Sequence, residues 1–206
     1  MPNWCYNRVT VFGESSQVEK VLCFMQKALK EAPNHKASRP NRWIGQFVVM
    51  AGENWEQHAC RGWIEEIDTT VTIKDERTGY FEIQFDSAWE PQMDAVDIAI
   101  KAALRGEECI DVDYVFVAEE PGEGIYINTD ECGMFYNERY IVDFDYSEDN
   151  GEGGVEYFET LDETLQFFNE LTGLSVKTLA EAQAVDDDRF EYIIIDEYLP
   201  EDLYSA

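Results

Sequence analysis

The sequence predicts an α+β fold whose first half has the element order β-α-β-β-α-β and whose second half is an acidic β/α extension. Three observations lead to this class. Of the 206 residues, 45% are hydrophobic and 14% are aromatic, which is enough for a sizeable core and favours sheet structure. Runs of β-branched residues alternate with apolar stripes at helical spacing. The formal net charge of −29 lies almost wholly in the second half of the chain.

The first strand and the first helix are predicted from adjacent segments. Residues 7–12 are rich in β-branched side chains, which indicates a strand. Apolar residues between positions 18 and 32 then recur every three or four positions, which predicts a helix with one apolar stripe. Ser16 and Glu19 have the spacing of a capping box at its start, and Pro33 ends it.

The segment 33–69 predicts a large inserted loop, because prolines and glycines interrupt it repeatedly. Residues 46–50 are apolar enough for a short buried segment, and a short helix is expected over residues 55–60. The loop also holds three of the five tryptophans and a small basic island, which either pairs with the acidic half or contacts phosphate. The tryptophans are Trp43, Trp55 and Trp63, and the island is His35, Lys36, Arg39 and Arg42.

The remaining elements of the first half complete the pattern. Two strands, at 70–74 and 80–85, precede a helix that Pro91 opens in its first turn. A strand at 110–117 follows. Residues 1–118 therefore have the element order of the ferredoxin-like split βαβ unit, and we expect them to form one domain that carries the inserted loop.

The second half, residues 119–206, is predicted to be an acidic β/α extension of that ferredoxin-like core. Thr160 and Glu163 have capping-box spacing and open a helix that Gly173 stops. A shorter helix and three strands complete this part. The strands are predicted at 124–128, 134–146 and 190–196, and the shorter helix at 175–184.

Two segments of the first half carry a family resemblance. Met1-Pro2-Asn3-Trp4-Cys5-Tyr6-Asn7 precedes the first strand, and Phe85-Asp86-Ser87-Ala88-Trp89-Glu90-Pro91 joins a strand to a helix. Both resemble the YubB-type proteins, phage- and plasmid-borne proteins with a ferredoxin-like domain of unknown function. The resemblance covers about residues 1–118 and implies the fold and a mobile-element origin, but no catalytic residues. Where that family often has a second proline after the tryptophan, this chain has Glu90.

The acidic half defines which partners are expected. Residues 106–206 hold 3 Lys+Arg and 29 Asp+Glu, so their formal charge is −26. Such a surface repels nucleic-acid phosphates and anionic membranes and attracts a basic protein surface. Because duplex DNA carries one charge per roughly 1.7 Å, 26 charges correspond to about 44 Å of duplex. The hypothesis is an acidic interaction protein, in particular a nucleic-acid mimic that inhibits a host defence protein by occupying its basic nucleic-acid-binding surface.

The residues expected to contact that partner are acids at alternating strand positions. Alternation places the two members of each pair on one face, about 6.5 to 7 Å apart. If both strands join one sheet with their acids on the same side, the carboxylates form an ordered grid. The partner-binding residues are Asp111 and Asp113 in one strand, Asp143 and Asp145 in the other, and Glu148 and Asp149 beyond its end.

No nucleophile motif, phosphate loop or metal motif occurs in the sequence, so we expect a protein that is not an enzyme, without cofactor or metal. Residues 145–156 have EF-hand spacing at several positions, but Asn150 replaces the usual glycine, and a hairpin turn is the preferred interpretation. His58 and Cys60 lack a second ligand pair for zinc. The alternative hypothesis is a small-ligand-binding or enzymatic domain that uses the cleft beside the tryptophan-rich insertion.

The expected location is the host cytoplasm. No stretch approaches the roughly 20 apolar residues that span a bilayer, and the first residues lack the apolar core of a signal peptide. The five cysteines are odd in number and include no CxxC pair, which indicates buried, reduced thiols.

Overall fold

A computed structural model of the chain describes residues 3–33, 35, 42–147 and 151–200. The protein has a mixed α/β fold with antiparallel sheets and divides into two compact units, Met1–Ile125 and Tyr126–Ala206. The boundary predicted at residue 118 falls inside a strand, and the division comes after that strand has ended. Within the part of the chain that the structure describes, no helix is long and apolar enough to cross a membrane.

The first unit has an antiparallel sheet in which four strands follow the order β2-β4-β1-β5 and a short β3 also pairs with β4. Helix α1 packs against β1 and β4, and the three helices pack on one another. The strands are β1 Trp4–Glu14, β2 Gly62–Ile67, β3 Thr72–Ile73, β4 Thr78–Ala88 and β5 Val112–Glu120, and the helices are α1 Ser15–Glu31, α2 Gln46–Ala51 and α3 Asp94–Ala103.

Alternation in β1 and β4 builds the core of this unit. Val9 and Val11 of β1 lie opposite Ile83 and Phe81 of β4, and all four side chains are fully buried. Between them, residues such as Arg8 point to the other face of the sheet, because successive strand residues alternate. The apolar stripe predicted for α1 supplies the helical side of the core.

Three expectations for the first unit are wrong. The cap of α1 is Glu14, whose carboxylate accepts from the Gln17 backbone N–H at 3.0 Å, so Ser16 and Glu19 form no capping box. Pro91 lies before α3 rather than in its first turn. The segment 33–69 is not a loop throughout, because it contains the sheet strand β2; helix α2 and the 3-10 turn at Trp55–Gln57 correspond to the buried segment and the short helix that were expected there.

The second unit has its own sheet, in the order β8-β7-β9, with two helices packed on one face. Thr160 caps the helix that follows it as expected, since its hydroxyl accepts from the Glu163 N–H, but the Glu163 carboxylate accepts from the Thr160 hydroxyl and not from its backbone N–H, so the capping box is only half formed. Gly173 ends the helix with a φ of +71°. Strand β6, Ile125–Asn128, crosses the boundary between the units. The other elements are β7 Tyr140–Tyr146, β8 Gly154–Phe158, β9 Phe190–Glu197, α4 Leu161–Thr172 and α5 Leu179–Gln183.

The strand predicted at 134–146 begins only at Tyr140, because a side-chain-bonded loop replaces its first part. Asp130 is buried and accepts from the backbone N–H groups of Phe135 and Tyr136 at 2.6 and 2.9 Å. The Arg139 guanidinium donates to backbone carbonyls of the same loop, including that of Asp130 at 2.6 Å. These bonds satisfy backbone groups that a strand would have paired with a neighbour.

Candidate functional site

The carboxylate grid predicted for a partner does not form on one sheet. Asp113 lies in β5 of the first sheet and Asp111 lies just before it, and both are exposed. Asp143 and Asp145 lie in β7 of the second sheet. The premise that the two strands share a sheet is therefore wrong. Glu148 and Asp149, the last two predicted contact residues, lie outside the described residues.

Asp143 is also not an exposed contact residue. Its exposed fraction is 8%, and the Tyr192 hydroxyl donates to its Oδ1 at 3.3 Å. Burial raises the pKa of the Asp143 carboxyl, and the nearby Asp145 raises it further, while the bond from Tyr192 opposes this shift. Alternation alone could not reveal this burial, because it indicates that a side chain shares a face with Asp145 but not whether that face is covered.

The segment with EF-hand spacing joins two strands. Asp145 lies in β7 and Glu156 lies in β8, and the two strands pair antiparallel with Phe144 opposite Gly154. An EF-hand loop is flanked by helices, so this segment lacks that framework. No group of three or more His, Cys, Asp or Glu side chains suited to a metal occurs among the residues that the structure describes.

A cavity of about 270 Å³ lies at the tryptophan-rich insertion, within the first unit. Trp43 is fully buried, and its indole N–H donates to the Cys60 carbonyl at 2.6 Å. The Trp55 ring stands nearly perpendicular to it, with the ring centroids 5.2 Å apart. Trp43, which has no exposed surface, thus supports the Trp55 ring from inside the unit. We call this cavity the tryptophan pocket; its lining is Trp43, Trp55, Glu56, His58, Ala59, Cys60, Arg61, Trp63 and Gln92.

Two donors of residues that line the pocket are unused, one covered by protein and one exposed. The indole Nε1 of Trp63 is buried and has no hydrogen-bond partner among the described residues, although its ring contacts Trp4 edge-on at 5.3 Å. The Arg61 side chain is exposed, and its guanidinium likewise contacts no acceptor within the described part of the chain. Its backbone is fixed, because Arg61 N–H donates to Oε1 of the buried Gln92 at 2.5 Å.

His58 lies between two carboxylates at the rim of the tryptophan pocket. Its Nε2 is 3.1 Å from Glu53 Oε2, and its Nδ1 is 3.9 Å from Asp94 Oδ2. Asp94 also accepts from the Ala59 N–H at 3.2 Å, which ties the insertion to the start of α3. His58 and Asp94 thus hold the rim in place.

The sequence identified the three tryptophans of the pocket as a group but not its polar residues Arg61 and Gln92. Arg61 and Gln92 are far apart in the sequence and meet only because β2 and β4 pair. No local sequence pattern therefore predicts that they line one cavity. The two other tryptophans lie outside the core. Trp4 and Trp89 are 43% and 49% exposed.

The protein is thus a mixed α/β protein with a tryptophan-walled cavity in its first unit and an acidic second unit. No protein-family model, no curated protein and no solved structure matches the chain. The resemblance to YubB-type proteins therefore stays a prediction.

Proposed function

We propose that the protein is a binding protein whose first unit holds a small planar ligand, or a planar side chain of a partner, in the tryptophan pocket. The observation that carries the proposal is an open cavity lined by the partly exposed rings of Trp55 and Trp63 and by Arg61, whose exposed guanidinium contacts no acceptor among the described residues. Ligand sites are mostly apolar clefts with a few polar groups at fixed positions, and the lining of the tryptophan pocket has this composition.

The size of the pocket suits a ring system. An engineered apolar cavity of about 150 Å³ holds benzene. The tryptophan pocket has about 270 Å³, nearly twice that volume, and therefore has room for a bicyclic ring with a substituent. Aromatic rings stacked or set edge-to-face contribute about 0.5 to 1.5 kcal/mol beyond their buried area, so the partly exposed rings of Trp55 and Trp63 favour a flat ligand.

Indole resonances test the proposal. The chain has five tryptophans, so a ¹⁵N-labelled sample gives five indole N–H signals. A fragment library containing planar, aliphatic, cationic and anionic members is added at millimolar concentration. At least one planar fragment is expected to shift the signals of Trp55 and Trp63 and to leave that of Trp89 in place. Absence of any fragment that moves the pocket signals would overturn the proposal.

The proposal also includes a ferredoxin-like fold for the first unit, a mobile-element origin and a cytoplasmic location. A ferredoxin-like class for the first unit is supported by four strands in the order β2-β4-β1-β5, with α1 after β1 and α3 after β4. The extra strand β3 extends that arrangement. The YubB-type resemblance of the two segments that meet at one end of the β1–β4 pair supports a mobile-element origin, and the odd number of cysteines supports a cytoplasmic location.

The acidic second unit favours a second function, the capture of a basic protein. Residues 126–206 hold 22 Asp+Glu and 3 Lys+Arg. Two of those three cations are engaged internally: Arg139 binds backbone carbonyls, and Arg189 binds Asp187 with Nη2 and Oδ2 2.5 Å apart. The negative charge is therefore left largely uncompensated. This supports the proposal of an acidic interaction protein that occupies the basic nucleic-acid-binding surface of a host defence protein.

Capture from host lysate tests the second function. A basic nucleic-acid-binding protein is expected on the immobilised chain, and increasing salt should release it. The contact surface is then probed with a charge reversal of two exposed acids, Glu156→Lys with Glu191→Lys, against Glu19→Lys in the first unit as a matched control. If neither increasing salt nor the double charge reversal reduces the amount of captured protein, the hypothesis of an electrostatic nucleic-acid mimic is contradicted.

A further inference from the structure

We infer that two exposed aromatic side chains at one end of strand β1 hold an arginine side chain of a basic protein partner. The side chains are those of Trp4 and Tyr6, which we call the aromatic clamp. This inference rests on the second proposed function, the capture of a basic protein, and adds a specific contact for that partner in the first unit.

The aromatic clamp belongs to a cluster of exposed rings. Among the described residues, the first unit exposes five large hydrophobic side chains, and three of them are the rings of Trp4, Tyr6 and Trp89. Trp4 lies opposite Ala88 in the β1–β4 register, and the N–H of the next residue, Trp89, donates to the Asn3 carbonyl at 3.0 Å. All three rings therefore start from the same end of the sheet. Trp and Tyr are also enriched among the residues that dominate the binding energy of protein interfaces.

The two positions of the aromatic clamp lie side by side on the sheet face that points away from the buried core. Successive strand residues alternate, and Cys5 between them is fully buried. Positions two residues apart along a strand are about 6.5 to 7 Å apart, and carbon atoms in contact are about 3.5 to 4 Å apart. A flat group between the two positions can therefore contact both side chains. Among the described residues the two clamp rings do not contact each other, and Trp63 orients the Trp4 ring edge-on with 5.3 Å between centroids.

The charges around Tyr6 favour a cation. In the strand register, Tyr6 lies between Asp86 of β4 and Glu119 of β5. Burial raises the pKa of the Tyr6 hydroxyl, and the Arg8 guanidinium opposes this shift. The carboxylates of Glu119, Glu82 and Asp86 raise the pKa further, so three acids act on Tyr6 against one base. A cation over the face of a Tyr or Trp ring is attracted by the ring itself, and the excess of acids adds to that attraction.

Arginine is the cation that suits two neighbouring rings. Its guanidinium is planar, stacks on aromatic faces and is more weakly hydrated than the ammonium group of lysine. A second copy of this chain is a poor occupant, because two chains with a formal charge of −29 repel each other. A basic protein, the partner of the second proposed function, is attracted by the same charge and supplies exposed arginine side chains.

The experiment follows the indole N–H signals of the full ¹⁵N-labelled chain at 0.15 M salt during titration with two peptides of equal charge, acetyl-Gly-Arg-Gly-Arg-Gly-amide and acetyl-Gly-Lys-Gly-Lys-Gly-amide. Loss of one signal in Trp4→Phe and of another in Trp55→Phe identifies the two indoles. The arginine peptide is expected to shift the Trp4 signal and not the Trp55 signal, with a dissociation constant below about 10 mM. The lysine peptide should bind at least about 3-fold more weakly, because an ammonium group does not stack between rings.

Two pairs of variants separate stacking from charge. Tyr6→Ala should weaken the arginine peptide at least about 3-fold and remove its advantage over the lysine peptide, whereas Tyr157→Ala, at an exposed tyrosine of β8, should change neither. Asp86→Asn should weaken both peptides about 2-fold, and Asp113→Asn, at an exposed acid of β5, should weaken neither. The indole signal of the buried Trp43 verifies that each variant is folded.

Equal binding of the two peptides, or binding of the arginine peptide that Tyr6→Ala leaves unchanged, overturns the inference. A Trp4 signal that moves on dilution of the chain alone also overturns it, since the rings would then contact a second copy. Capture from host lysate judges the second proposed function separately. If a basic protein is captured but the arginine peptide leaves the Trp4 signal in place, only the inference fails, whereas the absence of any captured basic protein removes both.

Discussion

Asn7 and Ser87 are joined by a hydrogen bond of 2.8 Å between the Asn7 Nδ2 and the Ser87 Oγ, although they are 80 positions apart in the chain. Both side chains are fully buried. The same amide donates to the Cys5 carbonyl at 2.8 Å, and the Ser87 hydroxyl donates to the Glu90 carbonyl at 2.7 Å. The two segments that carry the family resemblance therefore meet in one buried polar cluster between β1 and β4.

This cluster predicts a coupled loss of stability. Asn7→Ala should lower the free energy of unfolding by about 2 to 3 kcal/mol, because it leaves buried acceptors unpaired, and Ser87→Ala by about 1 kcal/mol. Urea unfolding of both single variants and of the double variant measures the coupling. The double variant should lose at least about 0.5 kcal/mol less than the sum of the single losses. Strict additivity would show that the bond contributes nothing specific.

The same pairing shows why the sequence predicted some strands and missed another. The strand that contains Asn7 alternates cleanly and was expected. Strand β2 was assigned to a loop, because its register shifts between Ile64 and Glu66 and the bulge interrupts the alternation on which strand prediction depends. Glu65 and Glu66 are consequently both exposed, as in a loop.

The candidate site was predictable only in outline for a related reason. The density of tryptophans in the segment 33–69 indicated a place for a ligand, and the structure has a cavity there. Gln92 lies outside that segment and reaches the cavity only through tertiary pairing, so its role requires the fold. Three of the five thiols, expected to be buried, are exposed, because residues such as Cys23 stand on the outer side of helix α1.

Thiol reactivity should divide the cysteines into two groups. Cys5 and Cys60 are buried, and the other three are exposed. Burial, with smaller contributions from the carboxylates of Glu120 and Glu119, raises the pKa of Cys5 to about 12, so its thiolate is scarce at neutral pH. At pH 8, Ellman's reagent should titrate three thiols quickly and two only on a time scale at least about 100-fold slower. Cys5→Ala should leave the fast count at three.

The raised pKa of Cys5 also predicts a pH dependence of stability. The folded state holds the thiol proton longer than the unfolded state, whose pKa is near 9.0. The stability that the protonated Cys5 thiol contributes is therefore fully present below pH 9 and is lost as the pH rises towards 12. Between those values the stability of the parent should fall more steeply than that of Cys5→Ala. Parallel curves of stability against pH for the parent and for Cys5→Ala would contradict the raised pKa of Cys5.

Trp89 is held in an unfavourable backbone conformation. Its φ is +77°, and among the described residues it is the only non-glycine with a positive φ. A side chain with a Cβ costs about 1 to 2 kcal/mol in the left-handed region. Trp89→Gly should therefore be more stable than Trp89→Ala by about 1 kcal/mol, since both remove the indole and only glycine relieves the backbone. Thermal unfolding compares the pair, and equal midpoints would argue against strain.

Duplex DNA should not bind the chain at 0.15 M salt. Residues 106–206 carry a formal charge of −26, which repels phosphate. Of the basic island, Arg42 is occupied, since its guanidinium donates to the carbonyls of Ile64 and Glu65 in β2. A mobility shift with labelled duplex measures this. Retardation at micromolar protein would contradict the prediction and would make the basic island the site to mutate.

Asp143 should destabilise the protein at neutral pH. Burial raises its pKa above the ordinary value, and the negative charge of Asp145 adds to the shift. Below the unfolded pKa, near 3.9, the carboxyl is neutral in both states and costs nothing. As the pH rises through that value and then through the folded pKa, the unfolded state loses its proton first, so stability falls.

The variant Asp143→Asn tests the predicted fall in stability with rising pH. The amide oxygen can still accept from the Tyr192 hydroxyl, which lies 3.3 Å from Asp143 Oδ1, while the charge is gone. In urea unfolding, Asp143→Asn should match the parent at pH 3 and exceed it at pH 7. Asp113→Asn, an exposed acid on another strand, serves as the control and should show no such gain. A loss of stability at pH 7 in Asp143→Asn alone would instead mean that the folded protein stabilises the Asp143 carboxylate, which contradicts the raised pKa.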